Sequence, residues 1–325
     1  MLIKNPKAAA ANLLKATVFI FVIWYCYRLL SSNDALKDFK MLIRAADLQA
    51  VGFSLVAVFL LMIGNWLFET IKWRYICRRF EPIRFRRAVE SVLCGLSWAV
   101  FTPNRIGEYG GRVMFLTPRK RVFGVIGMLV GALSQMVITN VLGAIAICWF
   151  VGTFLEPDPF LFLGICLLGL VYIAVFILLY FNIRIINVFL LKFRFLHRYK
   201  RFVDLLLRYD RKALWRVFLY SAMRYLIFTS QYCILMQTMI PDLPLVQMVL
   251  MIFILFFVQS ALPSLDLFDV GVRSVTASYF FGFITPHVVA VMAVVACVWF
   301  VNLILPALIG SVFVFKINFF GSRNS

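Results

Sequence analysis

Arginine and carboxylate side chains interrupt an apolar stretch of this chain at a proline-centred break, residues 102–108. Glu108 and Arg112 are four residues apart, so on a helix they share a face and can form an ion pair. Asn104 can cap such a helix, whose free N–H groups favour an anion. Arg105 beside that terminus has the forked geometry that binds a phosphate and that lysine lacks. The break therefore predicts either an anion site or a salt bridge that only holds a hairpin together.

A second break of the same kind covers residues 263–273 and contains Asp266, Asp269 and Arg273. Asp269 and Arg273 are again four residues apart and can pair, which leaves one aspartate suited to proton or cation coupling. Arg224 lies about ten residues into another apolar stretch, roughly 15 Å from its inner edge. It either faces the same path or pairs with a carboxylate of one of the breaks. Charges at membrane depth are costly, so each of these residues is a candidate for substrate binding.

The elements that position these residues are long apolar segments. The chain has 325 residues, of which 63% are hydrophobic and 14% charged, and this excludes an ordinary soluble enzyme. We predict an all-α, polytopic helical membrane protein, a single integral membrane domain over 1–325. About six full spans would be joined by two broken or re-entrant helical hairpins, one at each break. The predicted spans are 13–30, 53–71, 122–150, 159–181, 214–238 and 288–313.

The formal net charge of +19 is concentrated between the apolar segments. Seven basic residues lie within 72–87 and ten within 184–216, whereas the loops 151–159 and 239–246 contain only acidic charges. By the positive-inside rule, the basic loops and both termini are cytoplasmic, in a bacterial-type inner membrane. Such loops face anionic lipid, so no nucleic-acid partner is expected.

The two breaks occupy similar places in two parts of the chain. Pro103 follows the start of the span at Phe53 by 50 residues, and Pro263 follows Leu214 by 49. Because the charge pattern makes these two spans run in opposite directions, the spacing favours an inverted repeat with halves 53–150 and 214–313. Between the halves, residues 182–216 have the composition of a basic amphipathic segment at the interface, either a linker or a lipid-sensing element.

The remaining polar residues indicate no catalytic centre. Glu69 and Lys72 are predicted to form an ion pair that snorkels to the inner interface. His197 and His287 are far apart and lack neighbouring ligands, so no metal is expected. Nucleotide-binding and hydrolase motifs are missing from the sequence, and we expect no cofactor.

The first break, read with Arg112, resembles the T-P-x-R-x-G-E…R signature of the lysylphosphatidylglycerol synthase transmembrane-region family, the flippase-like integral membrane proteins. The segment Lys72–Tyr75, and Pro263 followed by Gly271–Arg273, are similar to further conserved positions of that family, and the similarity extends over residues 13–313. The second break departs from the family pattern, because aspartates replace its glycine-rich part and Ser274 stands where a glutamate is usual. The resemblance implies a lipid-handling membrane module without the soluble synthase domain.

These observations predict a protein that binds an anionic lipid or lipid-linked headgroup and translocates it across the membrane. Arg105, Arg112 and Arg224 would engage the phosphate, and Glu108 would orient the arginines. A proton at one of the two aspartates, or the membrane potential, would supply any coupling. Two alternatives remain open: a membrane-embedded transferase with Glu108 as acid and base, and a non-transporting partner subunit of an envelope complex. A separate enzyme partner fits any of these.

Overall fold

The computed structural model describes residues 47–100, 105–183, 204–261 and 269–314, together with residue 102 and a few isolated positions. These residues form α-helices, short 3₁₀ turns and two π segments, with no strand among them. In chain order the helices are α1 (Leu48–Cys77), α2 (Phe85–Val100), α3 (Ile106–Val113), α4 (Arg121–Phe150), α5 (Pro159–Phe181), α6 (Arg211–Met239), α7 (Leu245–Ala261), α8 (Asp269–Phe281), α9 (Val288–Trp299) and α10 (Leu305–Val314).

Four continuous helical segments are long and apolar enough to cross a membrane: Leu48–Cys77, Pro118–Leu155, Pro159–Phe181 and Val288–Phe313. They confirm the helices predicted at 53–71, 122–150, 159–181 and 288–313. The predicted span 214–238 lies within α6, which has 29 residues but contains Arg224 and Gln231 and is less apolar. The predicted span 13–30 lies outside the described residues. The protein is therefore a polytopic helical membrane protein.

Each break lies between two short helices, which together form a hairpin. The limbs of the first hairpin, α2 and α3, have 16 and 8 residues, and those of the second, α7 and α8, have 17 and 13. All four are shorter than the roughly 20 residues that cross a hydrocarbon core. The limbs are therefore shorter than the long helices that flank them.

Helices α1 and α6 form a long antiparallel pair. At one end Ser54 and Thr238 share a hydrogen bond of 2.7 Å between their hydroxyl groups. At the other end Arg79 and Asp210 form an ion pair at 3.1 Å. This register confirms that the two predicted spans run in opposite directions.

The segments 53–150 and 214–313, the halves that the spacing predicts, contact each other. The first limb of each hairpin packs against the last helix of the other segment: α2 against α10, which ends the helical segment Val288–Phe313, and α7 against α4. Both contacts are close enough to require glycine, because a Cβ at Gly310 would collide with Leu93 O and one at Gly143 with the Phe257 ring. The order of elements, one long helix, two short limbs and another long helix, is the same in both halves.

Two apolar clusters lie at opposite ends of the α1–α6 pair. One contains Ile76, Cys77, Tyr209 and Leu214, beside the basic loops. The other contains Phe150, Met236 and further residues near the acidic loops. Part of the segment 182–216 belongs to the first cluster, since Leu205 and Leu206 of the 3₁₀ turn Asp204–Arg208 are 1% exposed. Helix α6 begins at Arg211, within this segment.

Candidate functional site

Glu69 is the centre of a buried ionic cluster between α1, α3 and α6. Its side chain is almost inaccessible, and its Oε1 accepts a hydrogen bond of 2.6 Å from Arg112 Nη1. Its Oε2 lies 2.7 Å from Lys72 Nζ and also accepts from Arg224 Nη1. Three cations from three helices therefore share one carboxylate, which compensates much of the cost of burying them.

Glu108 extends this cluster toward the tip of the first hairpin. It pairs with Arg112, one helical turn later, as the sequence predicts. Its Oε2 also lies 3.1 Å from Arg105 Nε. Arg112 thus joins both carboxylates, and its guanidinium lies 6.0 Å from the Trp73 ring centroid. We call the following residues the ionic cluster: Glu69, Lys72, Arg105, Glu108, Arg112 and Arg224.

The first hairpin positions Arg105, Glu108 and Arg112 through a close approach of its two limbs, α2 and α3. A Cβ at Gly111 would lie 2.7 Å from Gly95 Cα, so the limbs touch backbone to backbone. At the tip, Thr102 Oγ1 accepts a hydrogen bond of 2.7 Å from Gly107 N, which satisfies one free donor of α3. Arg105, the residue before that helix, has a left-handed backbone with φ 56°.

A chain of buried amides connects the ionic cluster to the middle of the molecule. Arg224 Nε donates to Asn65 Oδ1 at 2.9 Å, and Asn65 Nδ2 donates to Asn302 Oδ1 at 3.3 Å. Asn302, within the π segment Phe300–Ile304, donates to Gln231 Oε1 at 2.9 Å. Gln231 donates in turn to the carbonyl of Val58. These bonds fix the α1–α6 register beside Arg224.

The ionic cluster forms one wall of a cavity of about 460 Å³. The opposite walls are largely aromatic and apolar, and both hairpins contribute. Among the described lining residues, five cations face two carboxylates, an excess of positive charge. A smaller cavity of about 60 Å³ is lined by Arg105, Arg224 and Arg273 together. The central cavity is lined by the ionic cluster and by Asn65, Trp66, Trp73, Ile76, Tyr109, Met128, Gly131, Ala132, Gln135, Met136, Thr139, Tyr225, Phe228, Phe256, Ser260 and Arg273.

Five of the eight predicted substrate-binding residues line the central cavity. Four are Arg105, Glu108, Arg112 and Arg224 of the ionic cluster, and the fifth is Arg273 of the second hairpin. The other three, Asn104, Asp266 and the Asp269 side chain, lie outside the described residues. Asp269 is the first residue of α8. Among described residues, no group of three His, Cys, Asp or Glu side chains is placed to hold a metal.

The prediction that Glu69 and Lys72 snorkel to the interface is wrong, although the two do pair. Both side chains are about 5% exposed, because Arg112 and Arg224 from distant parts of the chain surround the carboxylate. A sequence signal was available. Asn65, Glu69 and Lys72 recur at helical spacing on one face of α1, which is the periodicity of a buried polar stripe.

The sequence also contains a residue-level echo between the hairpins. Glu108-Tyr109-Gly110-Gly111-Arg112 and Asp269-Val270-Gly271-Val272-Arg273 both follow the pattern acid-x-Gly-x-Arg. The first lies in α3 and the second opens α8, the corresponding limb of the other half. Arg112 and Arg273 line the same cavity.

Long apolar helices around a buried, positively charged cavity define a polytopic membrane protein with an internal polar site. The sequence profile of the lysylphosphatidylglycerol synthase TM region matches residues 12–310, and the chain belongs to that family. Membership makes it a membrane protein connected with lipid handling. None of the curated proteins compared with the chain matches it.

Proposed function

We propose that this protein binds the headgroup of an anionic lipid in the central cavity and translocates it across the inner membrane. The observation that carries the proposal is the excess of cations at the cavity, where Lys72, Arg105, Arg112, Arg224 and Arg273 face only two described carboxylates. Lys72, Arg112 and Arg224 already share one carboxylate, that of Glu69, so an anion that enters the cavity is electrostatically favoured. A lipid phosphate fits the forked geometry of arginine.

The arrangement of the hairpins supports movement of the headgroup as well as binding. Two hairpins in corresponding positions of the two halves line one cavity, and the long helices α1 and α6 run antiparallel. Both features fit an inverted repeat, with halves 53–150 and 214–313, that opens alternately to either side. In this proposal Asn104 contacts the phosphate, and the coupling comes from a proton at Asp266 or Asp269 or from the membrane potential.

Charge distribution gives the proposed orientation. The end of the α1–α6 pair with Arg79 and Asp210 also carries the basic loops, so it faces the cytoplasm. The acidic loops containing Glu156 and Asp242 then face outward, and both termini are cytoplasmic.

The test is headgroup accessibility in proteoliposomes. The purified protein is reconstituted with a trace of fluorescent anionic phospholipid, and a membrane-impermeant quencher is added outside. Translocation predicts that the protected fraction of fluorophore falls below the half expected for a sealed bilayer. A zwitterionic fluorescent lipid is the matched control and should stay protected. Equal protection of the anionic lipid with and without protein would refute translocation.

A further inference from the structure

The side chain of Arg224 is held by three residues of α1. Its Nε donates to Asn65 Oδ1 at 2.9 Å, its Nη1 donates to Glu69 Oε2, and its guanidinium carbon lies 5.3 Å from the Trp66 ring centroid. No described residue accepts a hydrogen bond from the third nitrogen, Nη2. The side chain is 17% exposed and lines both cavities, so Nη2 is the nitrogen available to a ligand.

The bond from Arg224 to Asn65 is the first of a chain whose direction is fixed at both ends. A guanidinium only donates, so Asn65 must turn its oxygen to Arg224 and its amide nitrogen to Asn302, at 3.3 Å. Asn302 accepts with its oxygen and donates with its nitrogen to Gln231 at 2.9 Å. Gln231 donates in turn to the carbonyl of Val58, which only accepts. Reversing any one amide would therefore bring two acceptors or two donors face to face.

The helix that carries Asn302 is irregular at that residue. Pro306 has no N–H to donate to the Asn302 carbonyl four residues earlier, and the π segment Phe300–Ile304 lies there. Asn302 is 3% exposed, and its amide nitrogen also donates to the carbonyl of Val298. Although Asn302 borders the smaller cavity, both polar atoms of its side chain are already bonded to the protein. It can therefore affect a ligand only through its neighbours.

We propose that Asn302 is a positioning residue for substrate binding, which holds Arg224 through Asn65 so that Nη2 faces the headgroup phosphate. This rests on the proposed function, in which Arg224 engages the phosphate. Rotation of the guanidinium away from Asn65 would break a buried hydrogen bond, and buried polar atoms without a partner are costly. The amide chain thus keeps one nitrogen of Arg224 directed at the ligand before the ligand arrives, which reduces the cost of ordering the side chain on binding.

The experiment is a double-mutant cycle on binding by the full-length protein in mild detergent, titrated with fluorescent phosphatidylglycerol. Asn302→Leu retains the branched shape of the side chain and removes the amide, whereas Arg224→Lys retains the charge and removes Nε. We expect each to weaken binding about fivefold, as the loss of about one hydrogen bond does. In the Arg224→Lys background, Asn302→Leu should have no further effect, because Asn302 acts through Arg224. Asn302→Ala is made in parallel, in case the larger apolar side chain prevents folding.

The matched control is Asn140→Leu. Asn140 is 5% exposed, and its amide also connects a carbonyl of its own helix, that of Met136, with another side chain, Tyr172. It lines neither of the two cavities, so Asn140→Leu should leave binding unchanged. Melting temperatures without lipid give a second cycle. The shifts caused by Asn302→Leu and Arg224→Lys should be non-additive, and those caused by Asn140→Leu and Arg224→Lys should add.

Each contrary outcome has a distinct meaning. If Asn302→Leu weakens binding equally in both backgrounds, or no more than Asn140→Leu does, the positioning role is overturned. If Arg224→Lys leaves binding unchanged, Arg224 is no phosphate ligand and the proposal fails, while binding of the anionic lipid stands. If the unaltered protein does not bind the lipid, the proposed function itself fails. The melting-temperature cycle then still decides whether Asn302 holds Arg224, since additive shifts would contradict it.

Discussion

At the scale of single residues, Glu69 determines whether the cations of the cavity can stay buried. Lys72, Arg112 and Arg224 all lie within ion-pair distance of its carboxylate. The three cations come from three helices, α1, α3 and α6, so one carboxylate compensates charges from distant parts of the chain. The charge of Glu69 therefore contributes to the stability of the fold as well as to the site.

The first prediction is that Glu69→Gln lowers the free energy of unfolding by about 3–5 kcal/mol, since it leaves buried cations facing each other. The measurement is the melting temperature and yield in detergent. Glu90→Gln is the matched control: Glu90 pairs with Arg86, which is 86% exposed, and exposed pairs contribute about 0–1 kcal/mol. Equal melting temperatures for the two variants would contradict the central role of Glu69.

The second prediction distinguishes a phosphate-binding role of Arg105 from a purely structural role in the first hairpin. Arg105 is 40% exposed and contacts Glu108 through Nε, so Arg105→Lys retains the charge and should fold normally. The variant loses the planar guanidinium that can donate two parallel hydrogen bonds to a phosphate, so translocation of the anionic lipid should fall by roughly tenfold or more. Headgroup accessibility and melting temperature are measured together. Arg86→Lys, an exposed substitution of the same kind, is the control.

Normal translocation by folded Arg105→Lys would contradict the assignment of Arg105 as a phosphate ligand and make Arg224 the next candidate.

Glu108→Gln tests the second charged residue of the first break. A carboxylate that only braces the hairpin should, when neutralised, reduce stability and yield. A carboxylate needed for function should, when neutralised, leave folding intact while translocation stops.

At the scale of elements, the first hairpin depends on the contact between Gly95 and Gly111. This contact sets α3 against α2, and Ser91 Oγ then donates to Arg112 O while accepting from Trp73 Nε1. The orientation of Arg112 toward Glu69 is thus a consequence of limb packing.

The third prediction is that Gly111→Ala costs about 1–3 kcal/mol, because its Cβ would overlap Gly95 Cα at 2.7 Å. Gly164→Ala is the matched control. A Cβ there meets nothing within 4 Å, so it should be neutral or stabilising by up to about 1 kcal/mol. The measurement is thermal unfolding in detergent, and an unchanged melting temperature for Gly111→Ala would contradict the close packing.

The same elements show which features the sequence could predict. The long helices were predicted from apolar runs. The hairpins were predicted because the basic loops had to lie on one side of the membrane and the acidic loops on the other, which left each break entering and leaving on the same side. The Glu108–Arg112 pair was local, four residues apart, and was predicted. The partners of Glu69 were missed because Arg112 and Arg224 are distant in sequence, and only the tertiary register of α1, α3 and α6 brings them together.

At the scale of the whole molecule, the two halves share an element order, exchange hairpin contacts and carry the same acid-x-Gly-x-Arg pattern. These three features depend on different evidence: secondary structure, packing and sequence. Their agreement supports the proposed inverted repeat. In such an architecture a site at the centre belongs equally to both halves, and Arg112 and Arg273 both line the central cavity.

The fourth prediction concerns the orientation of this architecture. Arg79 and Asp210 pair at one end of the antiparallel helices, so single cysteines near 80 and 210 must be labelled from the same side. We expect that side, with residue 200 and both termini, to be cytoplasmic, and residues 155 and 242 to be labelled from outside by an impermeant thiol reagent. The native cysteines are replaced by alanine beforehand.

Residues 102–108 should resist labelling from outside unless the lipid path opens. Labelling of residue 200 from outside would reverse the assignment, and labelling of 80 and 210 from opposite sides would contradict the α1–α6 pairing itself.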